Sequence, residues 1–344
     1  MPAWTAPLPD SLGALAQLGR RHGLAILLDL PLDRIARDGA LARHRPQWCL
    51  PDGADARAAR LDYGAHEAEI VAYWQEITAM LLHAGIAGFR CDAPQRLPVA
   101  TLARIIAATR QVRPGCRWIG WTVGLDHAGT LAIAATGVDM VASSVAWWDR
   151  TAPWLGAERH GLPPHTGLLA CPVPLAASAA VGNGTPPGMA LRLAAAIGDG
   201  VLVPAGFGDP PDAPGQADGP LPPYRPALHA ALRHAGRMVH ADALPVPTNR
   251  DMPVMTVDGL TVMTRQGDTR RGEPAPLRLV LVNPSTIRPA QARLAPLLAE
   301  RDSSFAFCHA IDGEPDFAPS PTGEVTLAPG AVRVLQVRPQ PALR

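Results

Sequence analysis

Helical stretches alternate with short, largely apolar runs through the first two thirds of this chain, and that alternation limits the fold more than any other feature. Residues 10–22 read as a helix, with Asp10 or Ser11 as its cap, Leu12, Leu15 and Leu18 at helical spacing, and Gly23 as its stop. Leu24–Leu30 follows as an apolar run suited to a strand buried on both faces. After a long loop, helices are expected at 64–84, 98–111, 126–136 and 186–197, and strands at 86–92, 117–122, 138–143, 167–171 and 200–204. Helix and buried strand in alternation mean a parallel α/β architecture. Six strands are countable, whereas a closed barrel of this kind needs eight.

The pattern changes beyond residue 245. Residues 207–226 are rich in Gly, Pro and Asp and read as a loop, and a helix follows at 226–239. Leu260–Thr264, Leu277–Val282 and Val332–Val337 then read as strands of an antiparallel β-domain. The expected organisation is a barrel-type domain over 1–243 and a β-sandwich over 244–344.

Composition excludes several classes. The formal net charge is +1, so no bulk attraction to nucleic acid or anionic lipid is implied. All 31 Lys-plus-Arg positions are arginine, a codon-bias signature that says little about phosphate recognition. Cys49, Cys91, Cys116, Cys171 and Cys308 are scattered, odd in number and without C-x-x-C spacing, which suggests neither a disulfide framework nor a zinc site. A cytoplasmic location is expected. There is no signal-peptide pattern and no apolar run of membrane-spanning length. No phosphate-loop or dinucleotide motif occurs, Gly182-Asn183-Gly184 reads as a turn, and the histidines form no metal-ligand set, so no cofactor or catalytic metal is expected.

The segment Gly85-Ile86-Ala87-Gly88-Phe89-Arg90-Cys91-Asp92-Ala93 carries the chemistry. Arg90 and Asp92, two apart on a strand, share a face, with Phe89 and Cys91 on the other. At the C-terminal end of a barrel strand that face is where catalytic groups sit. A carboxylate beside a guanidinium suits a nucleophile. The same spacing equally suits a structural ion pair.

"GIAGFRCDAPQRLP" resembles the nucleophile strand of the α-amylase superfamily, glycoside hydrolase family 13, and in particular its maltose-1-phosphate maltosyltransferase-like branch. "LVLVNP" and "LAPGAVRVLQV" are similar to the C-terminal sandwich of amylase-type enzymes. The resemblance implies an incomplete (β/α)8 TIM-type barrel of about six strands followed by a C-terminal antiparallel β-sandwich domain. The first two barrel strands have no counterpart, so either the chain starts late or another element covers the gap. It also makes Asp92 the nucleophile position, Arg90 its partner, and Asp29 the aspartate that supports Arg90 or the barrel floor.

Retaining sugar chemistry needs a second carboxyl group roughly 5–5.5 Å from the first. Where the family carries an acid/base glutamate, this chain has Trp121, whose indole exchanges no proton at useful pH. Where the family has a His-Asp pair after strand seven, this chain has Leu175 and Ala176. Asp33-Arg34 stands where amylases often have Asn-His. Asp126, Asp149 and Glu158 are the carboxylates that could substitute, although Asp126 better suits a helix cap. Asp139, at the start of its strand, would sit at the wrong end of a barrel. Trp147, Trp148 and Asp149 resemble the family's loop after strand six; the indoles stack on sugar or plug the loop onto the core, and packing is favoured. Trp48 carries the same two readings.

Three functional expectations follow. The first is a degenerate relative of the maltosyltransferases without normal glycosidic catalysis, with a glucan-binding or partner role toward α-glucan, maltose-1-phosphate or a sibling maltosyltransferase. The second is an active retaining transferase or hydrolase with a relocated acid/base. The third is a fragment whose upstream barrel segment is encoded separately.

Overall fold

The computed structural model describes residues 10–172, 187–204, 207, 233, 235, 252–266, 277–299, 303–311 and 323–339. The chain divides into two compact units, Met1–Ala142 and Ser143–Arg344. The expected boundary at 243/244, the loop at 207–226 apart from Phe207, the helix at 226–239 apart from residues 233 and 235, and the turn at 182–184 lie outside the described residues.

In the first unit, α1 (Asp10–Arg21) ends just before Gly23, whose φ of 72° is the left-handed conformation a glycine supplies cheaply. Strand β1 (Leu27–Leu30) leads into a region expected to be a loop. That region instead holds β2 (Arg34–Ala36), α2 (Ala40–His44), β3 (Cys49–Pro51) and β4 (Ala58–Leu61). The three strands form a small antiparallel sheet in the order β2-β4-β3. Strands of three or four residues are too short to show a period, which is why the sequence hides them.

Helix α3 (Tyr63–His83) starts at Asp62, whose carboxylate accepts from the backbone N–H groups of Gly64 and Ala65. Then come β5 (Gly88–Cys91), α4 (Val99–Val112), β6 (Arg117–Gly120), α5 (His127–Ala134) and β7 (Met140–Ser143). Strands β1, β5, β6 and β7 are neighbours in that order and all parallel. Phe89 and Trp118 are fully buried with ring centroids 5.1 Å apart, and the Trp118 indole donates to Thr109 Oγ1 at 2.8 Å. Gly88 lets the backbones meet: a Cβ there would collide with the main chain of Arg117. Asp139 binds Trp118 N–H, Arg110 and Arg117 just before β7, a bracing role at that end of the strands.

In the second unit, α6 (Trp154–Ala157) precedes β8 (Gly167–Ala170), and α7 (Pro187–Ile197) links it to the parallel strand β9 (Gly200–Val201). The unit then turns antiparallel, through β10 (Val254–Val257), β11 (Leu260–Gln266), β12 (Leu277–Val282), β13 (Ala290–Arg293), α8 (Ala295–Ala299), β14 (Ser303–Ala310), β15 (Glu324–Leu327) and β16 (Val332–Pro339). One sheet runs β10-β11-β12-β16-β14, and β13 pairs with β15. Asp258-Gly259, both at positive φ, make the two-residue turn between β10 and β11. Leu260, Val262, Leu279, Leu281 and Leu335 pack against Ala292, Leu294, Val325 and Leu327. Buried Asn283 stitches this domain by donating to the carbonyls of Arg288, Leu327 and Ala328.

Candidate functional site

Period two along β5 buries Phe89 and Cys91 and turns Arg90 and Asp92 to the opposite face. In the parallel pairing Asp29 of β1 stands beside Arg90. Arg90 grips Asp29 with two bonds, Nε to Oδ1 at 2.7 Å and Nη2 to Oδ2 at 2.5 Å, the planar fork geometry that suits arginine and carboxylate. The Arg90 guanidinium carbon also lies 5.2 Å from the centre of the Trp121 ring, within cation–π range. Trp121 is held there because its N–H donates to Cys91 O at 3.0 Å, carrying the β5–β6 ladder one residue further.

Asp92 has a different partner from the one expected. Arg34, at the start of β2, donates from Nη2 to Asp92 Oδ2 at 3.0 Å, while Arg90 is paired with Asp29. Beside them, Asp33 is only 3% exposed and accepts from Arg96 Nη1 at 3.2 Å. Three ion pairs, 29–90, 34–92 and 33–96, therefore tie the end of β1 and its following turn to the end of β5 and its following turn. The Asp92 side chain keeps 43% of its exposure, so the carboxylate is paired yet open to solvent. Burial pushes the Cys91 thiol up to about 12, which makes it an inert core group.

Other predicted residues separate by role. Asp126 caps α5, accepting from Gly129 N–H at 2.7 Å. The Asp149 carboxylate accepts from the N–H groups of Thr151 and Ala152, and those backbone bonds, Ala152 first, hold it below the usual carboxylate range. Burial drives the Glu158 carboxyl upward, against the bonds it accepts from Ser143 Oγ and Ser144 N–H. The tryptophan pair splits: Trp148 is buried and donates to Ala152 O, whereas Trp147 is 52% exposed. Trp48 packs in the core of the first unit, donating to Glu69 and lying under Arg45. Leu175 and Ala176 lie outside the described residues.

Among the described residues no group of three or more His, Cys, Asp or Glu side chains could hold a metal ion. No helix among them is long and apolar enough to cross a membrane.

The fold has counterparts in solved structures. An α-amylase from Geobacillus thermoleovorans, complexed with acarbose, superimposes with a TM-score of 0.67 at 12% identity, over 96% of this chain and 81% of that one. A cyclic α-maltosyl-(1→6)-maltose hydrolase from Arthrobacter globiformis gives 0.64 at 13% identity, over 95% and 78%. The architecture is thus an α-amylase-type α/β fold, an incomplete (β/α)8 barrel of about six strands followed by a C-terminal antiparallel β-domain. In sequence, the chain is 30% identical over 323 residues to an α-1,4-glucan:maltose-1-phosphate maltosyltransferase of Burkholderia pseudomallei (strain K96243), a match covering 82% of this chain and 28% of that protein. No protein-family model matches the chain. The chain thus has the fold of the α-amylases and is similar in sequence to this maltosyltransferase, of whose length it spans little more than a quarter.

Proposed function

We propose that this chain is a maltosyltransferase-like member of the α-amylase superfamily that does not carry out ordinary glycosidic catalysis, and that its role is recognition of an α-glucan or of maltose-1-phosphate, or association with an active relative. The observation that carries this reading is the pairing at the end of β5. Asp92, which the resemblance puts at the nucleophile position, is bonded to Arg34, and Trp121, which it puts at the acid/base position, is stacked on Arg90. General acid/base assistance supplies typically about 10²–10⁴-fold in rate, and an indole provides none of it. Purified protein incubated with maltose-1-phosphate and glycogen is expected to release no phosphate above the level of the Asp92→Ala variant. Phosphate release that disappears in Asp92→Ala would sink the proposal.

A second reading has one observation in its favour. Glu158 is a carboxyl group whose proton affinity burial raises, the tuning expected of a general acid. It predicts a covalent adduct on Asp92 with an activated fluorosugar, and turnover of an unactivated α-glucan that Glu158→Gln abolishes. Its engagement with Ser143 and Ser144 favours instead a structural role at the end of β7.

A further inference from the structure

Helix α1 touches the rest of the first unit through its small residues. Gly13 lies against Ala84, Ala16 against Gly85, and Gly19 against Ile26. Leu15 and Leu18, which the helical spacing offers for packing, are instead 49% and 51% exposed, and Leu24, just past the helix, is 61% exposed. A globular chain ordinarily covers such a stripe.

Strand β1 shows the same deficit. The run Leu24–Leu30 reads as a strand buried on both faces, yet Leu27 and Leu28 are only half-buried. Strand β1 stands at the edge of the parallel sheet, with β5 as its one strand neighbour among the described residues. An edge strand offers N–H and C=O groups to a further strand, and proteins usually guard it with proline, a bulge or a free charge. Strand β1 contains no proline and pairs with β5 in unbroken register, and its one charged residue, Asp29, is engaged by Arg90.

Charge selects the occupant. Arg20, Arg21 and His22 are exposed at the end of α1, and residues 11–28 contain no acidic side chain. A second copy would bring its own arginines to this surface, like charge against like. A lipid surface accepts leucines and arginines but leaves the backbone of a strand edge without partners. An extended segment that carries carboxylates beside apolar residues satisfies the leucines, the arginines and the edge together.

We propose that α1 and the open edge of β1 dock an extended apolar segment flanked by acidic residues, supplied by a separate polypeptide and added to the sheet as a strand beside β1. This docking goes beyond the function proposed above: it specifies the surface and the chemistry of a protein partner, and it needs neither a glucan nor a relative. Phosphate release from maltose-1-phosphate would end that reading and leave this one standing.

Fluorescence anisotropy with the full chain tests it. The probe is a labelled synthetic peptide of alternating valine and threonine with a pair of glutamates at each end. Comparison peptides carry lysines in place of the glutamates, or prolines in place of the threonines. The glutamate peptide is expected to bind saturably and the lysine peptide about tenfold more weakly. The proline peptide is expected not to bind, because it lacks the N–H groups that pair with an edge. Leu15→Ser combined with Leu18→Ser is expected to weaken binding by about tenfold, the effect of leaving the apolar contact unmade. Both leucines are exposed, so the double variant keeps its fold. Arg21→Glu should narrow the preference for glutamate over lysine, a change that loss of folding does not produce. Val112→Ser, at an exposed apolar residue of α4, should leave binding unchanged. No saturable binding, equal binding of the three peptides, or full binding by the leucine double variant would overturn the proposal. So would a chain that sediments as a dimer dispersed by the leucine variant, which assigns the surface to a second copy. Binding to phosphatidylglycerol vesicles and not to the peptide assigns it to a membrane and overturns the proposal as well.

Discussion

At the scale of single residues, the end of β5 is ruled by which guanidinium meets which carboxylate. Asp33 is the most demanding member, since it is buried and one of its oxygens has no hydrogen-bond partner. Arg96 is its charge partner, and removing that partner leaves an uncompensated buried charge. Arg96→Met is therefore expected to destabilise the protein by about 2–3 kcal/mol, below the full cost of breaking a buried pair because Arg96 itself is partly exposed; chemical denaturation measures this. The Asp29–Arg90 contact is legible in the amino-acid sequence, because period two on β5 and a parallel neighbour bring those positions together. The Arg34–Asp92 contact is not, because Arg34 lies in a segment with no visible periodicity. Arg96 carries no signal either. A residue five places past a strand end can point anywhere until the turn after it is known, and here that turn is the short 3₁₀ helix Pro94–Arg96.

At the scale of elements, the sequence and the structure agree at most of the elements long enough to bury a repeating face. Helices α3, α4 and α7 lie within a residue or two of their expected bounds, as do β11, β12 and β16. The eight-residue β14 has no expected counterpart, and the segment 31–62 fails for the reason that three-residue strands leave no pattern. The turn after β7 shows how an element end is held by one side chain. Glu158 accepts from Ser143 and Ser144 and so fixes the backbone leaving the strand. Its folded carboxyl titrates above its unfolded value, so its contribution to stability is complete below about pH 4.3, the unfolded pKa, and is lost as pH rises through the folded value. Glu158→Gln keeps an acceptor for Ser144 N–H without a charge. Thermal melts across pH 4 to 8 should show the native chain losing stability relative to this variant as pH rises. A constant difference between the two would refute the assignment.

At the scale of the whole molecule, the second unit is joined internally by a buried three-part cluster. Arg159, 2% exposed, holds both oxygens of Asp199 at 2.8 and 3.0 Å, and Arg265 of β11 reaches the same carboxylate at 3.1 Å. Asp199 also accepts from Leu168 N–H near the start of β8. This cluster couples the α/β part of the unit to its antiparallel sheet. Burial pushes the Asp199 carboxyl up, but the two arginines outweigh it and the net position is below the ordinary range. Stability from a depressed carboxylate is present above its unfolded pKa of about 3.9 and is lost as pH falls through the folded value. Asp199→Asn is expected to cost about 3 kcal/mol near neutral pH, by removing the negative charge that two buried guanidiniums share. The loss should shrink below about pH 4. Melting temperatures of both proteins from pH 2 to 7 would decide it; a loss that stays constant through the acid range would refute the role.

The stacking of Trp121 on Arg90 also decides what a new side chain at position 121 would meet. A glutamate exchanged for Trp121 would arrive beside a guanidinium already claimed by Asp29, while Asp92 stayed engaged with Arg34. An exchange at position 121 alone would thus trade the aromatic cover of Arg90 for a second carboxylate on a guanidinium already in use, and an exchange at position 34 alone would take away the guanidinium from which Asp92 accepts.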